Sequence, residues 1–197
     1  VSSWVYRYSL FVDDPSAAMW LADNRIEFVP HLAHHHIPLP NGDACNLDHA
    51  QSATPVCTAA MLDGAISFAK KQATMTHLMG WNEAYDKGNK KAEKKYIAPS
   101  DAATWWREYV QGMAARANLA LVSPTTGVQA NKLEWMGEML LACYSQRNLS
   151  PACDVNSITA FSVHDYKCSE EYWRHNYGEQ GAFQSGLAAY LTKGTAA

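Results

Sequence analysis

The sequence predicts an α/β fold that is built around a parallel sheet. Segments with strand character alternate five times with segments of helical spacing along the 197 residues. This order is typical of parallel strands that are joined by helical crossovers. Each unit takes up about 35 to 40 residues, close to the size of one unit in a (β/α)8 barrel of about 250 residues. Five consecutive units therefore predict an incomplete TIM-type barrel.

The first part of the chain predicts two strands, a short helix and a long loop. Residues 3–9 alternate aromatic and polar side chains, which is typical of a strand. The Asp14-Pro15 pair begins a helix over residues 16–23, because proline is favoured in the first helical turn. Residues 26–30 form a second strand that ends at a proline. A polar loop is expected from His31 to about Pro55.

The middle of the chain predicts two helices around one strand. Residues 57–71 have helical spacing, with small or apolar residues at positions 60, 61, 64, 65 and 68. Residues 76–81 are a short apolar run of the length of a buried strand. A lysine-rich, solvated loop follows at residues 87–95. Pro99-Ser100-Asp101 then caps a helix that runs to about Arg116.

The last part of the chain continues the alternation. Residues 119–123 and 157–163 are apolar enough for strands, and a helix is expected between them at residues 130–144. A final helix is expected over residues 169–191. Residues 1–197 are therefore interpreted as one domain, which is expected to lack both ends of a full barrel.

Composition limits the class of protein. The chain is 48% hydrophobic and 18% charged with a net charge of −3, which indicates a folded globular chain. No Lys/Arg-rich face stands out, which argues against nucleic acid as a partner. No apolar stretch approaches the roughly 20 residues that a membrane span requires. Because the chain begins with Val1, it is expected to be processed or trimmed.

The cysteines favour an oxidising compartment. Cys45 and Cys57 bracket one polar loop, and Cys143 and Cys153 bracket another that carries an Asn-Leu-Ser glycosylation sequon. Two loop disulfides and a secreted or cell-wall-associated protein are therefore expected. The alternative is that all the cysteines are reduced core residues. Cys168 is left over, either as a free thiol or with a partner outside this chain.

The strongest candidate for chemistry is the Asn82-Glu83 pair, which follows the strand at residues 76–81. In a parallel sheet the pair would lie at the carboxyl end, where α/β proteins place their sites. Glu83 can give or take a proton, and Asn82 can hold a sugar hydroxyl. Trp81 can stack on a pyranose ring or pack beneath the site. The alternative is a pair that enters a loop and faces water.

Polar and aromatic residues also follow the other predicted strands, so one edge of the sheet would collect them. These residues are Tyr6, Tyr8, His31, Ser123, Thr125, His164 and Tyr166. The alternative is that strand ends simply adjoin polar loops.

The histidine group His31, His34, His35 and His36 needs a separate interpretation. Neutral imidazoles bind metals, but no carboxylate stands at a suitable spacing and no His-Glu-x-x-His pattern occurs. We expect no metal here and interpret the group as a loop over a sugar groove, with a metalloprotein as a weaker alternative. Signatures for dinucleotides, nucleoside triphosphates and serine hydrolases are absent, so no cofactor is expected.

Five segments together carry a resemblance to a known family. They are Phe28–Pro30, Leu78–Glu83, Ala102–Trp106, Leu121–Pro124 and Phe161–Tyr166. In their order and spacing they resemble the family 128 glycoside hydrolases, β-1,3-glucanases of the (β/α)8 superfamily. The most specific part is the Gly-Trp-Asn-Glu turn combined with the later His-x-Tyr.

The resemblance implies a retaining hydrolase of β-1,3-glucan in which Glu83 is the general acid/base. It also implies that Asn82 holds the sugar 2-hydroxyl and that His164 and Tyr166 line a sugar subsite. A retaining enzyme needs a second carboxylate about 5 to 5.5 Å from the first. The seventh strand, which carries the family's nucleophile, has no counterpart in this sequence. A non-catalytic, lectin-like β-glucan-binding protein on a degenerate barrel is therefore the alternative function.

Two further departures from the family's pattern bear on the site. The family's Asn-Glu is commonly followed by Pro-Asp, whereas this chain continues to Asp86 through Ala and Tyr. Glu170 and Glu171 follow the His-x-Tyr strand too closely, on a predicted helix, to replace the nucleophile. No residue is therefore assigned that role.

Overall fold

A computed structural model of the chain describes residues 4–7, 10–12, 14–32, 36–48, 54–85, 96–127 and 130–164. In chain order its elements are β1 (Trp4–Arg7), α1 (Pro15–Asp23), β2 (Glu27–Leu32), β3 (His36–Pro38), β4 (Ala44–Asn46), α2 (Ala59–Gln72), β5 (His77–Trp81), α3 (Pro99–Trp105), α4 (Gln111–Ala117), β6 (Ala120–Val122), β7 (Thr126–Gly127), α5 (Ala130–Ser145), β8 (Ile158–Ala160) and β9 (Val163–His164). A π-helical turn (Trp106–Val110) joins α3 to α4. A 3₁₀ turn (Val155–Ser157) precedes β8.

The central sheet has five strands in the order β1-β2-β5-β6-β8, and every neighbouring pair is parallel. Helices connect successive strands, so that α1, α2, the α3–α4 pair and α5 each serve one crossover. The predicted α/β fold with consecutive βα units is therefore confirmed. In a parallel arrangement the carboxyl ends of all five strands lie along one edge.

The two faces of the sheet differ in how they are covered. On the face toward the helices a continuous core buries aromatic and aliphatic residues, including Phe28, Leu78 and Trp106. Alternate residues of the same strands form a separate small cluster of Val29, Met79 and Val122 on the other face. This second face corresponds to the interior of a barrel.

Local sequence explains where the first helices begin. The carboxylate of Asp14 accepts a hydrogen bond from the backbone N–H of Ser16 at 2.9 Å, and Pro15 occupies the first turn of α1. The hydroxyl of Thr58 accepts from the N–H of Met61 and caps α2. The buried side of α2 consists of Leu62, Ala65, Ile66 and Ala69. The apolar spacing read from the sequence shares only Ala65 with this buried side.

Three expectations about element limits are wrong. The second strand does not end at Pro30 but continues to Leu32. Proline has no N–H for the ladder, and the recorded pairing with β5 is limited to His31 and Leu32, where the register shifts. In α3, Pro99 is the first helical residue and Ala98 provides no side-chain cap. The loop expected from His31 contains an antiparallel hairpin of β3 and β4.

The two expected disulfides are confirmed. Cys45 pairs with Cys57 and ties the hairpin to the start of α2, and Cys143 pairs with Cys153 after α5. Such bonds are typical of proteins from oxidising compartments. Cys168, the lysine-rich loop and the final predicted helix lie outside the described residues. Within the described ranges no helix combines the length and the apolar character that crossing a bilayer would require.

Candidate active site

The turn after β5 is the best-defined feature of the carboxyl edge. Asn82 is buried, and Glu83 is half-buried with a positive φ of 50°. The N–H of Asn82 donates to the carbonyl of Leu32 at 3.0 Å, and the N–H of Glu83 donates to the carbonyl of Thr125 at 2.9 Å. One residue further, the carbonyl of Ala84 accepts from the N–H of Ile97 at 2.9 Å. The turn is thus fixed to two neighbouring strand ends.

Glu83 has a backbone conformation that its side chain disfavours. The left-handed region costs a residue with a Cβ roughly 1–2 kcal/mol relative to the right-handed one. Such conformations persist only where the surrounding contacts determine them, and they are concentrated at functional sites. The backbone hydrogen bonds to Leu32 of β2 and to Thr125 after β6 supply that constraint here. As a result, the chain leaves the regular path of β5 at Glu83.

Close packing beneath the turn involves Gly80 and Trp81. A Cβ at Gly80 would lie 2.8 Å from the backbone N of Pro124 and 2.9 Å from Cζ3 of Trp106, so only glycine fits. Trp81 is fully buried, with its ring centroid 6.3 Å from Trp105 and 6.1 Å from Trp106. Trp81 therefore packs beneath the site, as one of the two interpretations expected, and does not face a sugar.

A cluster of buried and half-buried side chains around Thr125 joins four segments of the sheet next to the turn. The hydroxyl of Thr125 lies 3.3 Å from Nε2 of His31, 3.2 Å from Sδ of Met79 and 2.8 Å from Oγ of Ser162. The N–H of Ser162 in turn donates to Oγ of Ser123 at 2.9 Å. These residues come from β2, β5 and the segments that follow β6 and β8. Three of the residues expected at this edge, His31, Ser123 and Thr125, therefore belong to one hydrogen-bonded group.

Tyr85 brings a further group to Glu83. Its hydroxyl donates to Oε1 of Glu83 over 3.5 Å, a long hydrogen bond. The ammonium of Lys132 on α5 lies 4.8 Å from the centroid of the Tyr85 ring, within cation–π range. Tyr85 therefore contacts the Glu83 carboxylate through its hydroxyl and the Lys132 ammonium through its ring.

A second carboxylate, Glu27, lies at the opposite end of the sheet. Its Oε1 accepts from the N–H of Thr76 at 2.9 Å, from the hydroxyl of the same residue, and contacts Nδ1 of His77 at 2.9 Å. Burial raises the pKa of Glu27, but these hydrogen bonds and the His77 ring outweigh it, so the pKa lies below its usual value. His77, which contacts Glu27, is six residues before Glu83. Six residues of extended chain span about 20 Å.

An open cleft of about 360 Å³ lies on the inner face, and Glu27 and His77 line its amino end. Its floor includes Val29, Met79 and Val122, and its side near β9 includes Phe161 and Ser162. Phe161 is 42% exposed. The cleft therefore offers a carboxylate and an imidazole besides apolar and hydroxyl groups on the face that carries no helices.

The candidate sugar-binding residues are described to different extents. His31 is fully buried in β2 and contacts Thr125, whereas it was expected in a loop. His36 is exposed on β3, so these two histidines belong to different elements. Tyr6 lies in β1, where its backbone is paired with Val29 of β2.

Other predicted residues are only partly covered by the structure. His164 is in β9 opposite Gly127, and nothing is described of its side chain. Tyr8, Tyr166, His34 and His35 lie outside the described residues. Ser162 and Tyr85 were not expected at the site. Only the position of Tyr85, two residues after Glu83, gave a signal in the sequence.

The model of the glycosyl hydrolase catalytic core family matches residues 1–180. The chain belongs to this family. The parallel sheet of consecutive βα units agrees with this family. No curated protein matches the chain.

Solved structures share the fold of this glycosyl hydrolase core. One is a GH128 subgroup II endo-β-1,3-glucanase from Sorangium cellulosum, with 18% identity and a TM-score of 0.53 over 83% of this chain and 52% of that one. Another is AbfB, a family 51 α-L-arabinofuranosidase from Bifidobacterium longum, with 12% identity and a TM-score of 0.51 over 91% and 34%. The chain thus spans about half the length of the first of these structures.

Proposed function

We propose that this glycosyl hydrolase core hydrolyses β-1,3-glucan by a retaining mechanism, with Glu83 as the general acid/base. The observation that carries the proposal is the turn at the end of β5, where Glu83 has a strained backbone that two neighbouring strand ends hold in place. The similarity in fold to a GH128 endo-β-1,3-glucanase supports this substrate class.

In this proposal the acid/base residue works beside neutral polar groups. Glu83 protonates the glycosidic oxygen as the bond breaks and later takes a proton from water. The Tyr85 hydroxyl, which donates to Oε1, keeps the carboxyl oriented. Asn82 holds the sugar 2-hydroxyl in this proposal, and its Oδ1 has no hydrogen-bond partner among the described residues.

The nucleophile is not Glu27. A retaining enzyme has its two carboxyl groups about 5 to 5.5 Å apart. Glu27 contacts the start of β5, about 20 Å of strand away from Glu83, and its oxygen is already engaged by Thr76 and His77. No residue is therefore assigned the role of the second carboxylate.

The remaining sugar contacts are proposed on the same edge. They are Tyr6 in β1, His164 in β9, the residues Tyr8 and Tyr166 that follow these strands in the sequence, and His31, which lies beside Thr125. We further propose one domain over residues 1–197 and, because of the two disulfides, a secreted or cell-wall-associated protein.

The test compares the wild-type protein with Glu83→Gln on soluble β-1,3-glucan. Loss of the proton donor is expected to lower reducing-end release by about 10²–10⁴-fold, because general acid catalysis contributes on that order. Binding of β-1,3-oligosaccharides, measured by calorimetry, should stay within a few-fold. Equal activity of the two proteins would refute the role of Glu83.

A second candidate is a β-glucan-binding protein without catalysis. It is favoured by the position of Glu27. This carboxylate lines the cleft of the inner face, but it is too distant from Glu83 to act as the nucleophile. Under this alternative the wild-type protein binds β-1,3-oligosaccharides and releases no reducing ends. Absence of binding heat with every oligosaccharide would exclude it.

A further inference from the structure

We propose that Thr125 is the positioning residue that fixes Glu83 in its left-handed conformation, and that its hydroxyl does so by joining β2, β5 and the segment after β8. The inference rests on the proposed role of Glu83. It assigns the backbone position of Glu83 to the Thr125 side chain, whose hydrogen bonds go to His31, Met79 and Ser162.

The backbone of Thr125 brackets the turn on both sides. Its carbonyl accepts from the N–H of Glu83 at 2.9 Å, and its N–H donates to the carbonyl of Trp81 at 2.8 Å. Asn82, between these two residues, forms an isolated bridge with Thr125. A displacement of Thr125 therefore moves both ends of the turn, and the backbone of Glu83 follows it.

Thr125 lies outside the strands of the central sheet. Strand β6 ends at Val122, and its register with β8 shifts after Leu121. Pro124 follows and has no N–H to continue a ladder. Thr125 thus lies between β6 and β7. Its own N–H and carbonyl bond to Trp81 and Glu83, and the backbone bonds toward the β8 side are made by its neighbours Ser123 and Thr126, so a direct interaction of Thr125 with that side is left to its side chain.

The hydroxyl of Thr125 supplies that interaction. The residue is only 1% exposed, and its single hydroxyl proton has two acceptors in reach, Oγ of Ser162 at 2.8 Å and Sδ of Met79 at 3.2 Å. The shorter contact, to a better acceptor, takes the proton. Nε2 of His31 at 3.3 Å then donates to Oγ1 in the tautomer that carries its proton there.

Ser162 is itself held in place, so the hydrogen bond from Thr125 is made to a fixed point. Its N–H donates to Oγ of Ser123 at 2.9 Å, and its carbonyl accepts from the N–H of Thr126 at 3.4 Å. The hydroxyl pair Thr125–Ser162 therefore adds a side-chain link to the backbone bonds between the segments after β6 and β8 at the level of the turn.

The experiment uses two variants of this residue and one matched control. Thr125→Val removes the hydroxyl and keeps the shape, and Thr125→Ser restores the hydroxyl. Thr159→Val is the control, because the Thr159 hydroxyl donates to the carbonyl of Leu121 at 2.9 Å between the same two segments, further from the turn. The readouts are the hydrogen-exchange rate of the Glu83 amide, kcat and KM on β-1,3-glucan, and Tm.

Thr125→Val is expected to accelerate exchange of the Glu83 amide about tenfold and to lower kcat about tenfold, since one neutral hydrogen bond is worth about 1 kcal/mol. KM should change less than about twofold, because the substrate contacts remain. Thr125→Ser should restore both values. Thr159→Val should lower Tm alone.

Two results would overturn the proposal. One is unchanged exchange of the Glu83 amide in Thr125→Val, and the other is a loss that Thr125→Ser does not restore. The exchange rates decide the matter even where the wild-type protein and Glu83→Gln show equal glucan hydrolysis, so failure of the proposed function is distinguishable from failure of this inference.

Discussion

Glu27 and Glu83 are two glutamates at opposite ends of one parallel sheet. At the amino end, Glu27 belongs to β2 and accepts hydrogen bonds from Thr76 while it contacts His77. At the carboxyl end, Glu83 has left the strand, has a positive φ and contacts the hydroxyl of Tyr85 over a long 3.5 Å. The first carboxylate is stabilised in its charged form, and the second is held in a strained position.

The difference between the two ends follows the division of labour that is known for barrels of this type. Residues at the amino ends of the strands contribute to stability, whereas catalytic residues come from the carboxyl ends. A residue that serves stability has its hydrogen bonds satisfied in a relaxed backbone. A residue that serves catalysis is held where the surrounding contacts, and not its own preference, determine it. The two glutamates can therefore be separated by what their loss affects.

Substitution of Gly80 tests how closely the carboxyl end is packed, and it has the largest expected effect on stability. In Gly80→Ala the new Cβ would meet Pro124 and Trp106 at 2.8–2.9 Å, so we expect a loss of about 1–3 kcal/mol in the free energy of unfolding. Glucan hydrolysis should fall as well, because the turn moves. The measurement is denaturant unfolding beside a rate assay.

Gly64→Ala is the matched control for that change. Nothing lies within 4 Å of a Cβ at Gly64, which is on the exposed side of α2. Alanine there should stabilise the helix by about 0.5–1 kcal/mol. A loss of stability at both glycines would indicate that the approach at Gly80 is not specific.

The amino end should show its role in the pH dependence of stability. Because the folded pKa of Glu27 lies below its usual value of 4.5, the carboxylate stabilises the fold above that pH, and the contribution disappears as the pH falls through the lower folded pKa. Glu27→Gln should lower the free energy of unfolding by about 1 kcal/mol at neutral pH. The difference from wild type should vanish in acid, as measured by thermal unfolding across pH. A constant difference at all pH values would contradict the role of the charge.

The smallest expected effect concerns the strain at Glu83. Asn adopts the left-handed conformation more readily than other residues with a Cβ, so Glu83→Asn should raise the free energy of unfolding by up to about 1 kcal/mol relative to Glu83→Ala. Both variants remove the carboxylate, and the comparison therefore isolates the backbone. Equal unfolding free energies would show that the turn stores no strain.

The sequence was sufficient for the order of the strands and for the location of the acidic turn. An apolar run followed by Asn82-Glu83 defines both a buried strand and its polar end, and the spacing of successive units identifies the parallel sheet. The hairpin of β3 and β4 was missed although Asn41-Gly42 is a strong turn signal, since each of its strands has only three residues. Strand β2 was predicted to end at Pro30, which is too early. Proline is tolerated within it because the pairing with β5 is irregular at this point.

The polar group around Thr125 could not be predicted from local patterns. Thr125 is 37 residues from Ser162 and 94 from His31, and no spacing rule connects positions so far apart. The left-handed conformation of Glu83 is similarly a product of tertiary contacts, because glutamate has no intrinsic preference for it. Sequence patterns therefore identify which residues reach the edge of the sheet, while the hydrogen bonds between strand ends determine how they are arranged.

The most direct test compares Glu83→Gln with Glu27→Gln in both activity and stability. We expect Glu83→Gln to abolish most glucan hydrolysis while Tm stays within about 2 °C of wild type, since a conservative change at a half-exposed position alters stability little. Glu27→Gln should lower Tm at neutral pH and leave kcat unchanged. The opposite pattern, or an equal loss of hydrolysis in both variants, would contradict the assignment of chemistry to the carboxyl end and stability to the amino end.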